Sequence, residues 1–257
     1  MLPRRLARKS KCLIFVAPHA YAGLAAPHRA AATDSRKGCH MSTPTPVRID
    51  FVSDVSCPWC VIGLKSLEQA LDKLKDTAQA EIHFQPFELN ANMVPEGEDI
   101  GEHIAHKYGS TEEQMAQSRE AIRARGAALG FTFAMDKRGR IYNTFDAHRL
   151  LHWAELEGRQ KELKMALFDA YFTQGENPSS HELLLKVVGE VGLDTAKAAE
   201  VLASGAYADE VRERERFYQQ NGINSVPAVI INERHLISGG QPPEVFEQAL
   251  RQIIAGA

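Results

Sequence analysis

Cysteine is scarce in this chain, and long apolar runs are missing. The 257 residues include four cysteines, too few for a small disulfide-rich scaffold. No stretch reaches the ~18 consecutive apolar residues of a membrane-spanning helix, so we expect no membrane partner. No internal repeat and no low-complexity segment occurs. At 44% hydrophobic and 25% charged residues, the composition indicates one elaborated globular domain or two small ones.

Most of the chain also lacks a surplus of basic residues. Residues 1–40 contain eight basic residues and one acidic residue, whereas residues 41–257 contain 22 basic and 32 acidic residues, a net charge of −10. Nucleic-acid binding depends on surplus Lys and Arg that neutralise phosphates. We therefore predict no nucleic-acid partner.

The first forty residues have a basic start and a short apolar run that Pro18 and His19 interrupt. They are typical of a secretory signal, of an organellar transit peptide, or of unstructured sequence upstream of a translation start at Met41. We favour the third interpretation, because Met41 leads almost directly into the first predicted strand. The protein would then be cytoplasmic, whereas a true targeting segment would make it periplasmic or organellar. The predicted domain is 41–257.

Apolar periodicity predicts a β–α–β unit at the start of this domain. Alternating residues at 47–55 and 81–87 predict two strands, and leucines at helical spacing predict a helix between them that ends near Lys75. A second group of strands, followed by a helix, is predicted at the end of the chain. Short apolar runs at 227–231 and 234–238 predict two strands, and a final helix follows Pro242-Pro243.

The stretch between these units is predicted to be helical throughout. Ser110-x-x-Glu113 and Ser179-x-x-Glu182 are capping-box patterns for helix starts. The run of Glu and Arg at 210–216 is typical of a solvated helix face. The predicted helices cover 98–107, 111–129, 144–157, 160–173, 180–191, 194–204 and 206–220.

Cys57-Pro58-Trp59-Cys60 lies where the first strand meets the first helix. Unpaired N–H groups and the positive dipole end of a helix favour a thiolate there. We predict that Cys57, nearest the helix end and exposed, is the nucleophile, and that Cys60, one turn inside, resolves the mixed disulfide. A structural zinc site needs four ligands, and no second cysteine pair accompanies this one, so no metal is expected.

Three features together resemble the thioredoxin fold: the strand–CPWC–helix opening, Ser225-Val226-Pro227-Ala228 just before a strand, and the closing hairpin and helix. The helical block between them resembles the DsbA family. The stretches SDVSCPWCVIG at 53–63, NTFDAHRL at 143–150 and GINSVPAVIIN…ISGGQPPEVF at 222–246 are similar to the FrnE-like branch. That branch is related to 2-hydroxychromene-2-carboxylate isomerases and kappa-class glutathione transferases. The resemblance covers about 47–256 and implies an α/β thioredoxin-like fold with a large all-helical insertion at about 95–205.

The resemblance also implies roles for individual residues. Pro227 would be the cis-proline that faces the active site, and Val226 would offer its backbone to a bound peptide or thiol. Pro58 and Trp59 complete the active-site loop. Trp59 stands where the strongest DsbA oxidants carry His, which puts strong oxidising power in doubt.

Two further residues, Asn143 and His148, lie in a stretch that faces the cleft in the resemblance. From the residues alone we favour simpler roles, with Asn143 as a helix cap and His148 as a packed or solvated residue. His148 and His152 are spaced as a metal pair would be, but no Glu follows His148 as the metalloprotease pattern requires.

Three functions remain open. The first is a thiol–disulfide oxidoreductase acting on protein or small-molecule thiols and disulfides. The second is a glutathione-dependent isomerase or transferase, although such relatives typically carry Ser in place of Cys57. The third is a peptide-binding chaperone without redox chemistry. No cofactor is expected, except glutathione as a co-substrate, and the oligomeric state is not predicted.

Overall fold

The computed structural model describes residues 15–16 and 43–256. The interpretations of the other residues before position 43 lie outside the described residues. The strands are β1 (Phe15–Val16), β2 (Thr45–Ser53), β3 (Ala78–Pro86), β4 (Glu98–Asp99), β5 (Arg140–Ile141), β6 (Ala228–Ile231) and β7 (His235–Ser238). The helices are α1 (Pro58–Asp72), α2 (Ile100–Tyr108), α3 (Glu112–Ala128), α4 (Phe145–Leu156), α5 (Gln160–Asp169), α6 (His181–Glu190), α7 (Thr195–Ala203), α8 (Ala208–Gln220) and α9 (Pro243–Ala255), with a π-helical turn at Ala170–Gln174 after α5.

The main sheet has the order β1-β7-β6-β2-β3 within the described residues. Strands β2 and β3 are parallel and are joined by α1, whereas β6 pairs antiparallel with both β2 and β7. This is the α/β thioredoxin-like fold that the sequence predicted. Because β2 is central, the loop that follows it and the loop that precedes β6 meet at one edge of the sheet.

Both faces of the sheet are buried. On one face, Ile49 and Phe51 of β2 pack with α1, α9 and the aromatic side chains of the π-helical turn. On the other face, Val52 and Ile230 pack against Tyr218 of α8. The helical block has a separate core built mainly from α4, α5, α6 and α7. Residues buried on both faces explain why the central strands are so apolar.

The predicted helices and strands agree with the observed ones to within a few residues. Strands β4 and β5 were not predicted, and they pair antiparallel within the helical block. Both predicted capping boxes are wrong by one position. Thr111, not Ser110, caps α3, since its hydroxyl accepts the N–H of Gln114 and its own N–H donates to the Gln114 side chain. Ser180, not Ser179, caps α6. Within the described part of the chain, no helix is long and apolar enough to cross a membrane.

Candidate active site at the start of helix α1

The chain turns sharply between β2 and α1 and presents the cysteines there. Cys57 is the N-cap of α1, and its N–H donates to the Asp54 carbonyl at 3.2 Å. Pro58 fills the first helical position, where its missing N–H costs nothing. The Cys57 side chain makes no capping hydrogen bond. The sulfur lies at the positive dipole end of α1, which favours its thiolate form.

Both cysteines of the motif are free thiols in this structure. Cys60 is fully buried. Burial, followed by its interaction with Cys57, raises the pKa of the Cys60 thiol well above its ordinary value. Cys57 is only 3% exposed, less than the sequence led us to expect, because the loop that contains Val226 packs against it. It nevertheless lines an open cavity, and Cys60 does not.

The loop before β6 packs directly against this helix end. The Sγ atom of Cys57 lies 3.7 Å from the carbonyl oxygen of Val226, and the Val226–Pro227 peptide bond is cis. Gly63 allows the approach, since a Cβ at this position would lie 3.0 Å from Cγ of Pro227. The structure thus brings Val226 and Pro227 to the cysteine pair, where the resemblance placed them.

The cavity in front of Cys57 has a volume of about 700 Å³. Its outer wall is formed by α2 and α3, and apolar residues such as Ile104 and Ile122 alternate with the basic residues Lys107 and Arg119. Such a space accommodates a small molecule or an extended segment of chain. Apolar and basic side chains therefore surround the space in front of Cys57.

Trp59 lines the same cavity, and an arginine side chain lies over the face of its ring. The guanidinium of Arg125 lies 5.2 Å from the centre of the Trp59 ring. The same side chain donates to the carbonyl of Gly240 at 3.4 Å. The Trp59 side chain is uncharged, but its contact with Arg125 places a positive charge beside the active-site loop.

Arg138 connects the helical block to the cysteine loop. Its guanidinium stacks on the rings of Tyr171 and Phe172, at 4.8 and 5.0 Å from their centres. It donates to the carbonyl of Ser56, the residue before Cys57, at 3.3 Å. Nothing in the sequence around Arg138 signals this role, because its partners lie on the distant π-helical turn.

A second buried polar group, Asp54, lies on the inner side of the loop. It accepts hydrogen bonds from the N–H groups of Ser56 at 3.1 Å and Leu89 at 2.7 Å. His148 Nε2 lies 3.7 Å from its carboxylate. Burial raises the pKa of Asp54, but the attraction of His148 and the two N–H groups outweighs burial and lowers it below the usual range.

Neither Asn143 nor His148 lines the cavity in front of Cys57. Asn143 accepts the N–H of Phe145, the first residue of α4, at 2.8 Å, and so acts close to the capping role that we favoured. His148 is buried behind the loop, 3% exposed. Among the described residues, no group of three or more His, Cys, Asp or Glu is arranged to hold a metal ion.

Glu88 is a cavity residue that the sequence did not single out. Arg212 donates hydrogen bonds to the carboxylates of Glu88 and Glu215, and both of these residues are buried. Burial, and then repulsion from Glu215, raise the pKa of Glu88 to about 7. The run at 210–216 is therefore only partly a solvated face, since Glu215 points inward.

Comparison with known proteins gives a consistent result. The family model for the DSBA-like thioredoxin domain matches residues 48–251. A solved structure of a probable DsbA oxidoreductase from Streptomyces coelicolor is 34% identical, with a TM-score of 0.77 and coverage of 82% of this chain and 90% of that one. The Bacillus subtilis protein YwbO is 28% identical over 79% of this chain and 96% of its own.

A more distant neighbour shows the same fold. The cytosolic disulfide reductase DsbM from Pseudomonas aeruginosa, solved with GSH, is 15% identical with a TM-score of 0.58, over 81% of this chain and 99% of its own. The family model covers most of the chain, including the cysteine pair and the cis-proline loop. The chain belongs to the DsbA family of thioredoxin-fold proteins.

Proposed function

We propose that the protein is a thiol–disulfide oxidoreductase in which Cys57 is the nucleophile and Cys60 the resolving thiol. One observation carries the proposal. Cys57 lies at the helix start, in a cavity and 3.7 Å from the Val226 carbonyl, whereas Cys60 is fully buried one turn further on. Only the Cys57 sulfur can contact a substrate in the cavity, and the Cys60 sulfur lies buried behind it.

In the reducing direction, the Cys57 thiolate attacks a substrate disulfide, and one substrate sulfur leaves as a thiolate. Cys60 loses its proton and attacks Cys57, the mixed disulfide breaks, and the second substrate sulfur leaves. Two electrons pass to the substrate and Cys57–Cys60 becomes a disulfide. The oxidising direction is the reverse. The positive dipole end of α1 favours the Cys57 thiolate in both directions.

Equilibration with glutathione buffers tests the proposal. The purified protein should form one Cys57–Cys60 disulfide reversibly, with a defined reduction potential. Cys60→Ser should trap a mixed disulfide on Cys57, and Cys57→Ser should form neither product. Cys39→Ser is the matched control and should behave as the unchanged protein. A protein that stays fully reduced at every buffer ratio would refute the proposal.

Glutathione is our second proposal, as a co-substrate or as the substrate of an isomerase or transferase reaction. The basic groups of the cavity support it, since Arg119 makes no ion pair among the described residues and faces the space before Cys57. The GSH-bound DsbM neighbour has the same fold. Calorimetric titration of GSH into Cys57→Ser and into Cys57→Ser with Arg119→Gln tests it, and weaker binding by the second variant is expected.

The FrnE-like assignment and a cytoplasmic location remain part of this proposal. Both follow from the sequence resemblance and from the preferred start at Met41. Fractionation of cells that express the full chain with a C-terminal tag would test the location. A product shortened at its N-terminus and found outside the cytoplasm would overturn it.

A further inference from the structure

Arg138 lies in the wall of the large cavity in front of Cys57, on the segment between α3 and β5. The residue is only 8% exposed. A guanidinium keeps its positive charge inside a protein, and buried charges are normally paired with an opposite charge. The groups that contact Arg138 therefore show whether its charge is balanced within the chain.

The contacts of Arg138 within the described residues are all with uncharged groups. Its Nη2 donates to the carbonyl of Ser56 at 3.3 Å, and its guanidinium lies over the rings of Tyr171 and Phe172. Its Nε is buried without a hydrogen-bond partner, and no described carboxylate forms an ion pair with the guanidinium. The protein thus holds a buried positive charge at the cavity wall without a negative charge of its own beside it.

The other charged groups of the cavity leave this charge unbalanced. Lys107 and Arg119 are also basic, and Glu88 is the one acidic residue among the described residues that line the cavity. Arg212 already donates a hydrogen bond to Glu88. The pKa of Glu88, raised to about 7 by burial and by repulsion from Glu215, leaves part of this carboxyl protonated at neutral pH. The cavity therefore favours an anionic ligand.

The position of Arg138 relative to Cys57 indicates where that ligand carries its charge. The carbonyl that accepts from Arg138 belongs to Ser56, so it lies in the peptide bond just before Cys57. Covalent geometry then places Nη2 of Arg138 within about 10 Å of the Cys57 sulfur. A substrate whose sulfur contacts Cys57 can place on the guanidinium a group only a few bonds from that sulfur. A carboxylate has the planar shape that a guanidinium binds best.

We propose that Arg138 binds a carboxylate that the substrate carries a few bonds from the sulfur that Cys57 attacks, so that the protein selects small thiol acids and their disulfides. This inference rests on the proposed thiol–disulfide function and adds the class of substrate to it. The two carboxylates of glutathione lie farther from its sulfur, so this site differs from the one that we proposed at Arg119. Arg138 determines specificity, and the sulfur exchange itself stays with the two cysteines.

Three symmetrical disulfides of similar length test the proposal. Dithiodipropionate carries carboxylates, hydroxyethyl disulfide is neutral, and cystamine carries ammonium groups. The rate at which the reduced protein attacks each disulfide is divided by the rate for dithiothreitol, which removes the intrinsic reactivity of the disulfide. The unchanged protein should prefer dithiodipropionate to hydroxyethyl disulfide by about 10-fold, the lower end of what a hydrogen bond to a charged group contributes, and should react most slowly with cystamine.

Arg138→Gln should lower the ratio of the dithiodipropionate rate to the hydroxyethyl disulfide rate by about 10-fold. This ratio is the informative quantity, because a shift of the cysteine loop after loss of the Ser56 contact would change both rates alike. Arg138→Lys keeps the positive charge and should retain part of the preference. Arg123→Gln is the matched control, since Arg123 pairs with Glu120 on the exposed face of α3, and its ratio should equal that of the unchanged protein.

Equal ratios for Arg138→Gln and Arg123→Gln would overturn the proposal. It would also be wrong if Arg119→Gln lost the preference and Arg138→Gln kept it, since the carboxylate would then bind at α3. A reduced protein that attacks none of the three disulfides would instead refute the proposed function.

Alkylation of Cys57 tests the carboxylate site without any disulfide. Iodoacetate carries a carboxylate, whereas iodoacetamide is neutral. The ratio of the iodoacetate rate to the iodoacetamide rate should be higher at Cys57 than for free dithiothreitol, and Arg138→Gln should abolish the difference. If the Arg138 variants fail to fold, the unchanged protein decides. A ratio at Cys57 no higher than that of dithiothreitol would overturn the proposal.

Discussion

Gly240 packs against Trp59 so closely that a Cβ at Gly240 would lie 2.9 Å from the Trp59 carbonyl oxygen. The turn after β7 therefore fixes the position of the active-site loop through backbone contact. Only glycine fits, since real Cβ atoms do not approach a carbonyl oxygen at that distance.

Gly240→Ala should therefore displace the start of α1. We expect a loss of about 1–3 kcal/mol in the free energy of unfolding, the usual cost of overpacking, together with altered Cys57 reactivity. Denaturant unfolding and thiol labelling measure the two effects. Gly205→Ala is the control, because nothing lies within 4 Å of a Cβ there. Equal stability of the two variants would contradict the packing argument.

A short iodoacetamide pulse near neutral pH should modify Cys57 far faster than Cys60. The reason is access and ionisation together, because Cys57 lines the open cavity and the buried Cys60 has a raised pKa. Peptide mass mapping measures the ratio. The same pulse in denaturant is the control and should label both residues alike. Equal labelling of the folded protein would show that the assignment of roles is wrong.

Replacing Trp59 with His should raise the reduction potential of the cysteine pair, since an imidazolium near Cys57 would stabilise the thiolate of the reduced form. The unchanged protein should lie below the DsbA value of about −120 mV, between about −180 and −270 mV.

Trp59→Phe is the matched control, because it keeps a ring for Arg125 without adding a charge. Its potential should stay close to that of the unchanged protein. Glutathione equilibration measures all three proteins. If Trp59→His and Trp59→Phe have the same potential, the dipeptide between the cysteines does not set it, and the loop at Val226 becomes the next candidate.

Glu88 should make stability depend on pH. Its pKa is about 7 in the folded protein against about 4.3 for an unperturbed glutamate, so the folded state binds the proton more tightly. The contribution of this bound proton to the free energy of unfolding is complete below about pH 4.3 and is lost as the pH rises to about 7. Glu88→Gln should therefore flatten the unfolding curve across this window.

Thermal unfolding at a series of pH values checks this prediction. Glu96→Gln is the control, since Glu96 is exposed and should leave the profile unchanged. Parallel profiles for Glu88→Gln and the unchanged protein would show that Glu88 does not hold the proton.

A chain that starts at Met41 should fold almost as stably as the full chain. Strand β1 adds only two residue pairs, Phe15 with Leu236 and Val16 with His235, at the edge of the sheet. We expect the melting temperature to fall by less than about 4 °C, the shift that roughly 1 kcal/mol gives in a domain of this size. A larger loss would show that residues before Met41 contribute to the fold.

The strands, the helices and the cysteine pair could be predicted because the sequence patterns that indicate them are local. Alternation in β2, the Pro after Cys57 and the helical spacing of leucines each lie within one element. The buried charges could not be predicted in this way. Lys164 and Glu215 lie on helices that also carry exposed charged residues, such as Lys161 and Arg216, and only the packing of α5 and α8 on the sheet turns these two inward.

Glu88, Arg138 and His148 illustrate the same limit. Each acquires its role from a partner far along the chain: Glu88 from Arg212, Arg138 from the π-helical turn, and His148 from Asp54. Spacing within a single sequence carries no signal for such pairs. The resemblance placed the 143–150 stretch near the active site, but only the structure shows that His148 lies on the inner side of the loop.

The contact between Cys57 and Val226 joins residues 169 positions apart, and this separation has a consequence during synthesis. At translation rates of about 5–20 residues per second, the cysteines emerge roughly 10–30 s before the strand that completes their sheet. Throughout that interval neither the Val226 loop nor β6 covers them. A nascent chain of this protein therefore exposes both thiols before the complete fold can control their reactivity. During that interval, the surrounding redox conditions determine whether the two cysteines are reduced or oxidised.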